Sequence, residues 1–288
     1  MQRPLLIVNP FASAVSDRRV AEVTEALGDV EVRRTEHPGH ATELAREARG
    51  RPVLYVLSGD GVFNEALNGL DADVPIGFIP GGGANVLPRA LGLPRDPVAA
   101  ARKLVEGKQR RISLGRVNGR RFAFAAGIGL TAEVVRRVDQ RGRTEESGRS
   151  GNLMFALTVV KVVAARRARF EPALEVAGKG RAAFALVANC DPYTYAGPLA
   201  VHVTPGARFE LGLDLLAPRR VGIAGVPRLL FALATGRGRP PDAIFGHDLD
   251  RIEIRCDFPQ PLQVDGEDLG DVDAAHFECE REVLRVLV

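Results

Sequence analysis

The stretch that decides the fold is Val53–Leu70, which reads Val-Leu-Tyr-Val-Leu-Ser-Gly-Asp-Gly-Val-Phe-Asn-Glu-Ala-Leu-Asn-Gly-Leu. Val53–Leu57 is an unbroken apolar run, as expected of a strand that is covered on both faces. Apolar residues then recur at helical spacing, at Phe63, Ala66, Leu67 and Leu70. A Gly-flanked turn, Ser58–Gly61, connects the two, and such a turn presents free backbone N–H groups and a positive helix end. This stretch therefore predicts a strand-to-helix corner that binds an anion such as phosphate.

Asp60 is the unusual residue of this corner. A carboxylate beside a phosphate is repulsive unless a metal ion or a substrate hydroxyl lies between them, so Asp60 favours phosphoryl transfer over simple phosphate binding. From these residues alone, an ordinary β-turn in which Asp60 hydrogen-bonds its own backbone is an equal alternative.

The segments on either side repeat the same strand and helix alternation. The predicted elements are Leu5–Val8, Asp17–Leu27, Val30–Arg34, Ala41–Arg49, Ile76–Ile79 and a helix over Asn85–Leu91. Alternation of this kind predicts a parallel sheet, and ligands of such sheets bind beyond the carboxyl ends of the strands. We therefore expect Asn9, Thr35 and Ser58–Gly61 to converge. Gly81–Gly83 forms a second Gly-rich corner, and two corners are stronger evidence for phosphate binding than one.

After Gly107 the pattern becomes antiparallel. Arg111–Val117 and Arg121–Ala126 are predicted strands, and the Asn118-Gly119 pair between them is the strongest short hairpin signal. Further short strands are predicted at Leu174–Val176, Arg181–Ala188, Arg251–Cys256 and Pro261–Val264. The predicted fold class is α+β overall: an α/β domain with a parallel sheet at residues 1–110, then a mainly antiparallel β domain at 111–288. Val283–Val288 is expected to return to the first domain as a last strand.

Charge is modest overall but uneven. The net charge is +3, and eight arginines fall within one short span: Arg136, Arg137, Arg141, Arg143, Arg149, Arg166, Arg167 and Arg169. This uneven distribution predicts one electropositive surface. An anionic membrane is favoured over nucleic acid as its partner, because no helix-turn-helix or aromatic-rich RNA-binding motif accompanies it. A solvated face without a partner is the alternative. Leu153–Ala165 and Gly225–Thr235 are predicted apolar helices, either core or pocket wall, and the first is too short to span a bilayer. Asp139–Gly151 is predicted to be a loop.

Cysteines and histidines exclude some classes of protein. Three widely spaced cysteines, Cys190, Cys256 and Cys279, argue against a disulfide framework or a zinc site and indicate a reducing cytoplasm. Met1–Pro10 lacks the apolar run of a signal peptide, so export is not expected. The histidines show neither ligand spacing nor a carboxylate partner, and none is assigned to chemistry: His37, His40, His202, His247 and His276.

Val53–Leu70 together with Ile79–Asn85 resembles the catalytic domain of the diacylglycerol kinase and sphingosine kinase superfamily. Its signature is Gly-Gly-Asp-Gly-Thr, two further residues that include Asn, then Glu. Here Ser58 replaces the first Gly, as in sphingosine kinases, and Val62 replaces the Thr, while Asn64, Glu65, Asn68 and Gly69 match. NAD kinases and phosphofructokinases share the Gly-Gly-Asp-Gly turn but usually lack that tail, so the tail favours the lipid-kinase branch. The resemblance implies a bacterial soluble lipid kinase with an NAD kinase-like and diacylglycerol kinase-like fold that uses ATP and Mg²⁺.

The resemblance also assigns nucleotide-binding residues. They are Asn9, Pro10, Ser13, Thr35, Ser58, Gly59, Asp60, Gly61, Asn64, Glu65, Gly82, Gly83 and Asn85. Asp60 is in addition the expected metal ligand. Gly83 and Val86 stand where the family has Thr and Asp, so one hydroxyl contact is lost while the backbone cradle is retained.

Two segments of the second half carry the expected acceptor chemistry. Asp265-Gly266-Glu267 alone would be a plain hairpin turn, but the resemblance implies that Glu267 is the proton acceptor for the lipid hydroxyl, assisted by Asp265 and Asp60. Gly127–Glu133 resembles the family's Gly-x-Gly-Phe-Asp-Ala-Glu, with Thr131 in place of the Asp. Glu133 stands where sphingosine kinases bind the lipid headgroup; a carboxylate that complements a helix dipole is the alternative.

A structural Mg²⁺ occurs in some bacterial members at an Asp-Asp-Gly segment. Here that segment is Glu210-Leu211-Gly212, and Leu211 supplies no carboxylate. Glu210 and Asp214 are expected on the opposite face of the strand. One Mg²⁺ is therefore expected near Asp60 with ATP, and none near Leu211.

The predicted function is ATP-dependent phosphorylation of a lipid hydroxyl, on a diacylglycerol-like or long-chain-base acceptor. An NAD kinase-like soluble kinase is one alternative. A catalytically weak lipid- or nucleotide-binding protein is another, motivated by Val62, Gly83, Val86 and Leu211. The expected location is cytoplasmic and peripheral on the inner face of the membrane, with no nucleic-acid partner, and a homodimer is left open.

Overall fold

The chain forms two units, the first made of Met1–Leu114 with Arg281–Val288 and the second of Gly115–Glu280. The computed structural model describes residues 2–71, 73–142, 171–196, 199–220, 231, 235–236 and 242–288. The polypeptide therefore passes between the units at two points, after Leu114 and after Glu280.

The first unit alternates strands and helices. Its elements are β1 (Leu5–Val8), α1 (Asp17–Leu27), β2 (Glu31–Arg34), α2 (His40–Arg46), β3 (Leu54–Ser58), α3 (Asp60–Gly69), β4 (Ile76–Pro80), α4 (Val86–Ala90) and α5 (Pro97–Val105). The strands are parallel in the order β2-β1-β3-β4. β1, β3 and β4 are buried along their whole length, which explains their continuous apolar runs. The predicted parallel α/β region is confirmed.

Two helix ends show how local chemistry sets the boundaries. Asp96 caps α5 by accepting a hydrogen bond of 2.9 Å from Ala99 N, and Pro97 occupies the first turn. α2 ends at Arg46, three residues before the predicted end at Arg49. There the N–H groups of residues 47–49 donate to carbonyls three positions back, so the last turn tightens instead of continuing the helix.

The second unit is mainly antiparallel. Its elements, including two long strands that extend into the first unit, are β5 (Gln109–Val117), β6 (Arg120–Phe122), β7 (Ala125–Ile128), α6 (Leu130–Gly142), β8 (Leu174–Val176), β9 (Gly180–Ala182), β10 (Ala185–Ala188), β11 (Thr194–Ala196), β12 (Leu199–Val201), β13 (Leu213–Pro218), β14 (Ala243–Leu249), β15 (Arg251–Val264) and β16 (Glu267–Leu287). The order β14-β13-β10-β7-β15-β16 is antiparallel throughout. The last part of β16 lies in the first unit, where Val286 pairs in parallel with Ile76 of β4.

The hairpins of the second unit follow the sequence closely. Asn118 and Gly119 both have positive φ, 47° and 89°, as a two-residue hairpin between β5 and β6 requires. The core includes Phe122 and Phe277, whose rings meet edge to face at 6.3 Å. The predicted antiparallel character of this half is confirmed.

Four predicted element boundaries in this unit are wrong. The strand predicted over Arg121–Ala126 is interrupted at Ala123 and Phe124, whose N–H groups turn to a carboxylate on another strand. The strand predicted over Arg181–Ala188 is also interrupted, at Ala183 and Phe184, where Ala183 N donates to the backbone carbonyl of Pro218 at 2.8 Å.

The other two corrections lengthen elements. The two strands predicted within 251–264 form the single strand β15, which tolerates an irregular register between Arg255 and Gln260. Residues 139–142 extend α6 and are not a loop; the rest of the predicted loop lies outside the described residues.

Other predictions also fall outside the described residues. They concern the helix at 153–165, the arginines at 143, 149, 166, 167 and 169, and most of the segment 225–241. Among the described residues, no helix has both the length and the apolar character needed to cross a membrane.

Candidate functional site

Three turns meet at the carboxyl ends of the first unit's strands. Asn9 N donates to Leu57 O at 3.2 Å, Ala14 N donates to Gly81 O at 2.9 Å, and Gly81 N donates to Ser58 O at 2.6 Å. The Asn9–Ser13, Ser58–Gly61 and Gly82–Asn85 segments are thus linked through the backbone. Thr35 lies beside them at the end of β2, where its N–H donates to Val8 O at 2.9 Å.

Two glycines allow the second and third turns to approach each other. A Cβ atom added to Gly82 would lie 2.6 Å from the Gly59 Cα, and one added to Gly59 would lie 3.3 Å from the Gly82 Cα. The first distance is too short for any side chain, so Gly82 is required by backbone packing. By contrast, a Cβ on Gly61 or Gly83 meets nothing within 4 Å, and this leaves room for a ligand beside the turns.

Asp60 links its own turn, Ser58–Gly61, to the helix that follows the Gly82–Asn85 turn. Its Oδ2 accepts a hydrogen bond of 3.0 Å from Val86 N and its Oδ1 one of 3.2 Å from Leu87 N. These are the first N–H groups of α4, so the carboxylate caps that helix and is stabilised by its positive end. Sequence reasoning missed this partnership because the residues are 26 and 27 positions apart.

Asn85 and Asn9 shape the backbone of their own turns. Asn85 adopts a φ of 48°, accepts from Gly82 N at 2.9 Å and donates from Nδ2 to Gly82 O at 2.7 Å. Asn9 Oδ1 accepts from Phe11 N at 3.0 Å, which is the turn-forming role considered from the sequence.

The tail of the motif packs α3 against α2. Asn64 is buried and accepts from Asn68 Nδ2, while Glu65 Oε2 accepts from Ala41 N at 3.3 Å. A Cβ on Gly69 would overlap Thr42 O, so the two helices are in backbone contact there. The nucleotide contacts expected of Asn64 and Glu65 remain predictions.

An anion fits this arrangement of turns. Ser58 is 1 % exposed, and its Oγ has no hydrogen-bond partner among the described residues. A buried hydroxyl without a partner is costly unless a ligand or water satisfies it. α3 begins immediately after, and its N-cap residue Gly59 makes no side-chain cap, so the first N–H groups of the helix are available to an anion. The residues therefore suit a phosphate group.

In the second unit, Asp265 anchors the turn between β15 and β16. Asp265 and Gly266 have φ values of 48° and 83°, the geometry of a two-residue hairpin. The Asp265 side chain is 5 % exposed and accepts three hydrogen bonds, from Ala123 N at 2.7 Å, Phe124 N at 3.0 Å and Ala125 N at 3.1 Å. The turn is thus a hairpin whose first carboxylate is used to fix it to β7.

Glu267 is the accessible carboxylate of that turn. Its side chain is 43 % exposed, and its Oε2 accepts from Arg120 Nη2 at 2.9 Å. Arg120 follows the Asn118-Gly119 hairpin and was not singled out from the sequence, because it lies 147 residues from Glu267. The structure therefore adds a cation beside the carboxylate expected to accept a proton.

Helix α6 is tied to the start of β16. Arg136 donates to both Asp268 oxygens at 2.7 and 3.0 Å and contacts Asp271 at 2.7 Å. Burial would raise the pKa of Asp268, but hydrogen bonds from Arg136 and Gly270 N lower it below its ordinary value. On the same helix, Glu133 pairs with Arg137 at 2.6 Å.

The expectation that no histidine has a carboxylate partner is wrong, because carboxylates lie beside histidines at three places. His202 Nδ1 lies 2.7 Å from Asp191 Oδ2, and His247 Nδ1 lies 2.8 Å from Asp214 Oδ1. The partners are 11 and 33 residues away, which no spacing rule could detect. In addition, ligand atoms of His37, His40 and Glu43 lie within 4.8 Å of one another at the surface.

Protein contacts engage the carboxylate of Asp214, which follows the Glu210-Leu211-Gly212 segment. Asp214 is buried and also accepts from Asp248 N at 3.0 Å, while Asp248 Oδ1 accepts from Gly212 N at 2.7 Å. Asp214 therefore serves His247 and the β13–β14 turn.

An α/β unit with two Gly-rich corners, followed by an antiparallel unit with a carboxylate turn, fits the NAD kinase-like and diacylglycerol kinase-like fold. Residues 3–117 match the family model of the diacylglycerol kinase catalytic domain. The diacylglycerol kinase of Bacillus subtilis (strain 168) is 27 % identical over 282 residues, which cover 93 % of this chain and 90 % of that protein. These matches support an assignment to the diacylglycerol kinase-like superfamily and a phosphotransferase of the kinase type.

Solved structures support the fold assignment. A diacylglycerol kinase from Bacillus anthracis str. Sterne superposes with a TM-score of 0.72 at 18 % identity, covering 99 % of this chain and 96 % of that one. An NAD kinase from Archaeoglobus fulgidus, solved in complex with ATP, gives a TM-score of 0.51 at 14 % identity, with 99 % and 93 % covered. At these identities the similarity concerns the fold, and the predicted fold class is confirmed.

Proposed function

We propose that this protein transfers the γ-phosphoryl group of ATP to a hydroxyl of a diacylglycerol-like or long-chain-base lipid. The observation that carries the proposal is the buried, unpartnered Ser58 hydroxyl at the N-terminus of α3, beside the contact of Gly59 with Gly82. Buried hydroxyls and free helix N–H groups are what a phosphate chain requires. The kinase names of the relatives supply the reaction class.

The first unit would bind the nucleotide. Ser58, Gly61 and the open backbone at Gly83 would contact phosphates, while Asp60 and Asn85 keep the two corners together. A divalent ion bound with ATP, such as Mg²⁺, would neutralise phosphate charge, and Asp60 is the residue we assign to hold it. Asn9, Pro10, Ser13 and Thr35 complete the proposed nucleotide site, with Asn64 and Glu65 behind them.

The second unit would receive the lipid hydroxyl. Glu267 is the proposed general base, because it is the exposed carboxylate of the anchored turn and a base must reach the hydroxyl. Asp265 assists by fixing the turn. Arg120 orients the Glu267 carboxylate, and Glu133 is the proposed contact to the lipid headgroup.

The proposed place of action is the cytoplasmic face of the membrane, as a peripheral enzyme of phospholipid metabolism. A water-insoluble acceptor would have to be reached at the membrane surface. Nucleic acid is not a proposed partner. An NAD kinase-like activity is the second candidate, favoured only by the fold shared with the Archaeoglobus fulgidus protein.

A transfer assay separates these candidates. The purified chain would be incubated with γ-labelled ATP and Mg²⁺ against diacylglycerol and long-chain bases in mixed micelles, and against NAD in solution. Label in a lipid supports the proposal, whereas label in NAD alone transfers the assignment to the second candidate. ATP binding without transfer to any acceptor would identify a binding protein.

A further inference from the structure

We propose that Gln263, which is buried, and Tyr193, which is partly buried, form a hydrogen-bonded relay that positions Glu267 for proton abstraction. The proposal rests on the proposed function, since it assigns Gln263 and Tyr193 a task only if Glu267 acts as the base. Both are positioning residues, because neither is assigned a contact with substrate.

The relay consists of one amide side chain with two partners. Gln263 Oε1 accepts a hydrogen bond of 3.0 Å from Gly266 N, and Gln263 Nε2 donates one of 2.8 Å to the Tyr193 hydroxyl. Gly266 immediately precedes Glu267. The Gln263 side chain therefore connects the hairpin turn to the segment that precedes β11, 70 residues away.

The Gly266 N–H determines which way the Gln263 amide faces, because a backbone N–H can only donate and therefore pairs with Oε1. This leaves Nε2 to donate to the phenol oxygen of Tyr193, which can accept. With the amide reversed, Nε2 would face another donor and the turn would lose its bond.

Gly127 provides the space for this relay. Gly127 of β7 is the register partner of Gln263 in β15. A Cβ added there would lie 3.0 Å from Gln263 Nε2 and would overlap Thr131 Oγ1. The first glycine of the Gly127–Glu133 motif is thus explained mainly by Thr131, whose Oγ1 a side chain would overlap, and in addition by Gln263 on the next strand.

Two anchors hold the turn from its two sides. Asp265 fixes the first turn residue to the backbone of residues 123–125, and Gln263 fixes the N–H of the second. A general base misplaced by about 1 Å can lose 10²-fold in rate, so the second anchor bears directly on Glu267. Arg120 Nη2 contacts the end of the Glu267 side chain.

The test compares Gln263→Met with Gln260→Met. Both glutamines lie on β15 and are buried, at 2 % and 6 % exposed, but only Gln263 bonds the turn. We expect Gln263→Met to lower kcat by about tenfold or more with the KM for ATP unchanged. Tyr193→Phe, which removes one hydroxyl, should give a smaller loss, and Gln260→Met should stay within about twofold of the wild type. Equal kcat values for Gln263→Met and the wild type, or equal losses in both methionine variants, would overturn the proposal.

A double-mutant cycle separates positioning from general destabilisation. If Gln263 acts through Glu267, adding Gln263→Met to Glu267→Gln lowers kcat no further, whereas an independent structural loss adds to it. An additive loss overturns the relay. If Glu267→Gln itself keeps full activity, the base assignment in the proposed function fails instead.

Hydrogen exchange tests whether the relay holds the turn, even if no acceptor is phosphorylated. Gln263→Met should accelerate exchange of the Gly266 amide, while Gln260→Met should not. Unchanged protection of the Gly266 amide in Gln263→Met would show that the turn does not depend on the relay.

Discussion

The carboxylate of Asp60, at the first residue of α3, accepts a 3.0 Å hydrogen bond from the backbone N–H of Val86, at the first residue of α4. One acid thereby joins the two Gly-rich corners of the first unit. The negative charge of Asp60 lies at the positive N-terminal end of α4, which stabilises it. A metal ion is therefore not the only group that can balance this carboxylate beside the proposed phosphate site.

Asp60→Asn is expected to abolish phosphoryl transfer and to lower stability only modestly. The amide keeps one acceptor oxygen but loses the charge that faces α4 and the metal, and loss of a cap costs about 1 kcal/mol. Thermal unfolding and the transfer assay check this. Asp96→Asn is the matched control, since Asp96 caps α5 in the same way and has no role in the site. A folded Asp60→Asn protein with normal activity would contradict the assignment.

Glu267→Gln is expected to lower kcat by roughly 10²-fold or more while ATP affinity stays unchanged, because a glutamine cannot accept the proton. Steady-state kinetics and equilibrium titration with ATP measure the two quantities separately. Glu278→Gln, an exposed position on the same strand, serves as the control. Weaker ATP binding with undiminished turnover would make Glu267 a nucleotide residue.

Gly82→Ala should destabilise the first unit, since the new Cβ would lie 2.6 Å from the Gly59 Cα and the two corners must separate. Overpacking of this kind costs typically 1–3 kcal/mol, or about 2 kcal/mol here. Gly83→Ala is the comparison for stability, because its Cβ meets nothing within 4 Å. Equal melting temperatures for the two variants would contradict the observed backbone contact.

Glu280→Gln should remove a pH-dependent part of the stability. Burial would raise the pKa of Glu280, but hydrogen bonds from Arg121 and Arg116 lower it below its ordinary value. A depressed folded-state pKa gives stability that is complete above the unfolded pKa and is lost as the pH falls through the folded one. We expect a loss of about 1–2 kcal/mol at pH 7 that shrinks at about pH 3. Urea unfolding at both pH values checks this. A loss of stability that does not depend on pH would contradict the lowered pKa of Glu280 in the folded protein.

Mg²⁺ should not bind near Leu211 in the nucleotide-free protein. Asp214 is already engaged by His247 and Asp248, and Leu211 offers no carboxylate to a hard cation. Crystals soaked in Mg²⁺ are the direct measurement. An octahedral ion beside residues 208–214 would show that this loop rearranges around Glu210 or Asp214.

Much of the fold was determined by local signals in the sequence. Continuous apolar runs specified the parallel strands, and caps such as Asp96-Pro97 specified helix starts. Asn118-Gly119 specified its hairpin because few residues other than Asn and Gly readily adopt positive φ. The two Gly-rich corners were likewise visible, since their requirement for glycine is a property of the backbone at each turn.

The partners of the polar side chains were decided only by the tertiary structure. Asp60 with Val86, Glu267 with Arg120, Gln263 with Tyr193 and Asp214 with His247 are separated by 26, 147, 70 and 33 residues. The interruption at Ala123 follows from a carboxylate 142 residues away, which outweighed the local strand pattern. A residue's own neighbours set its backbone preference, but only the folded chain determines which buried donor meets which acceptor, because unpaired buried polar groups are too costly to leave.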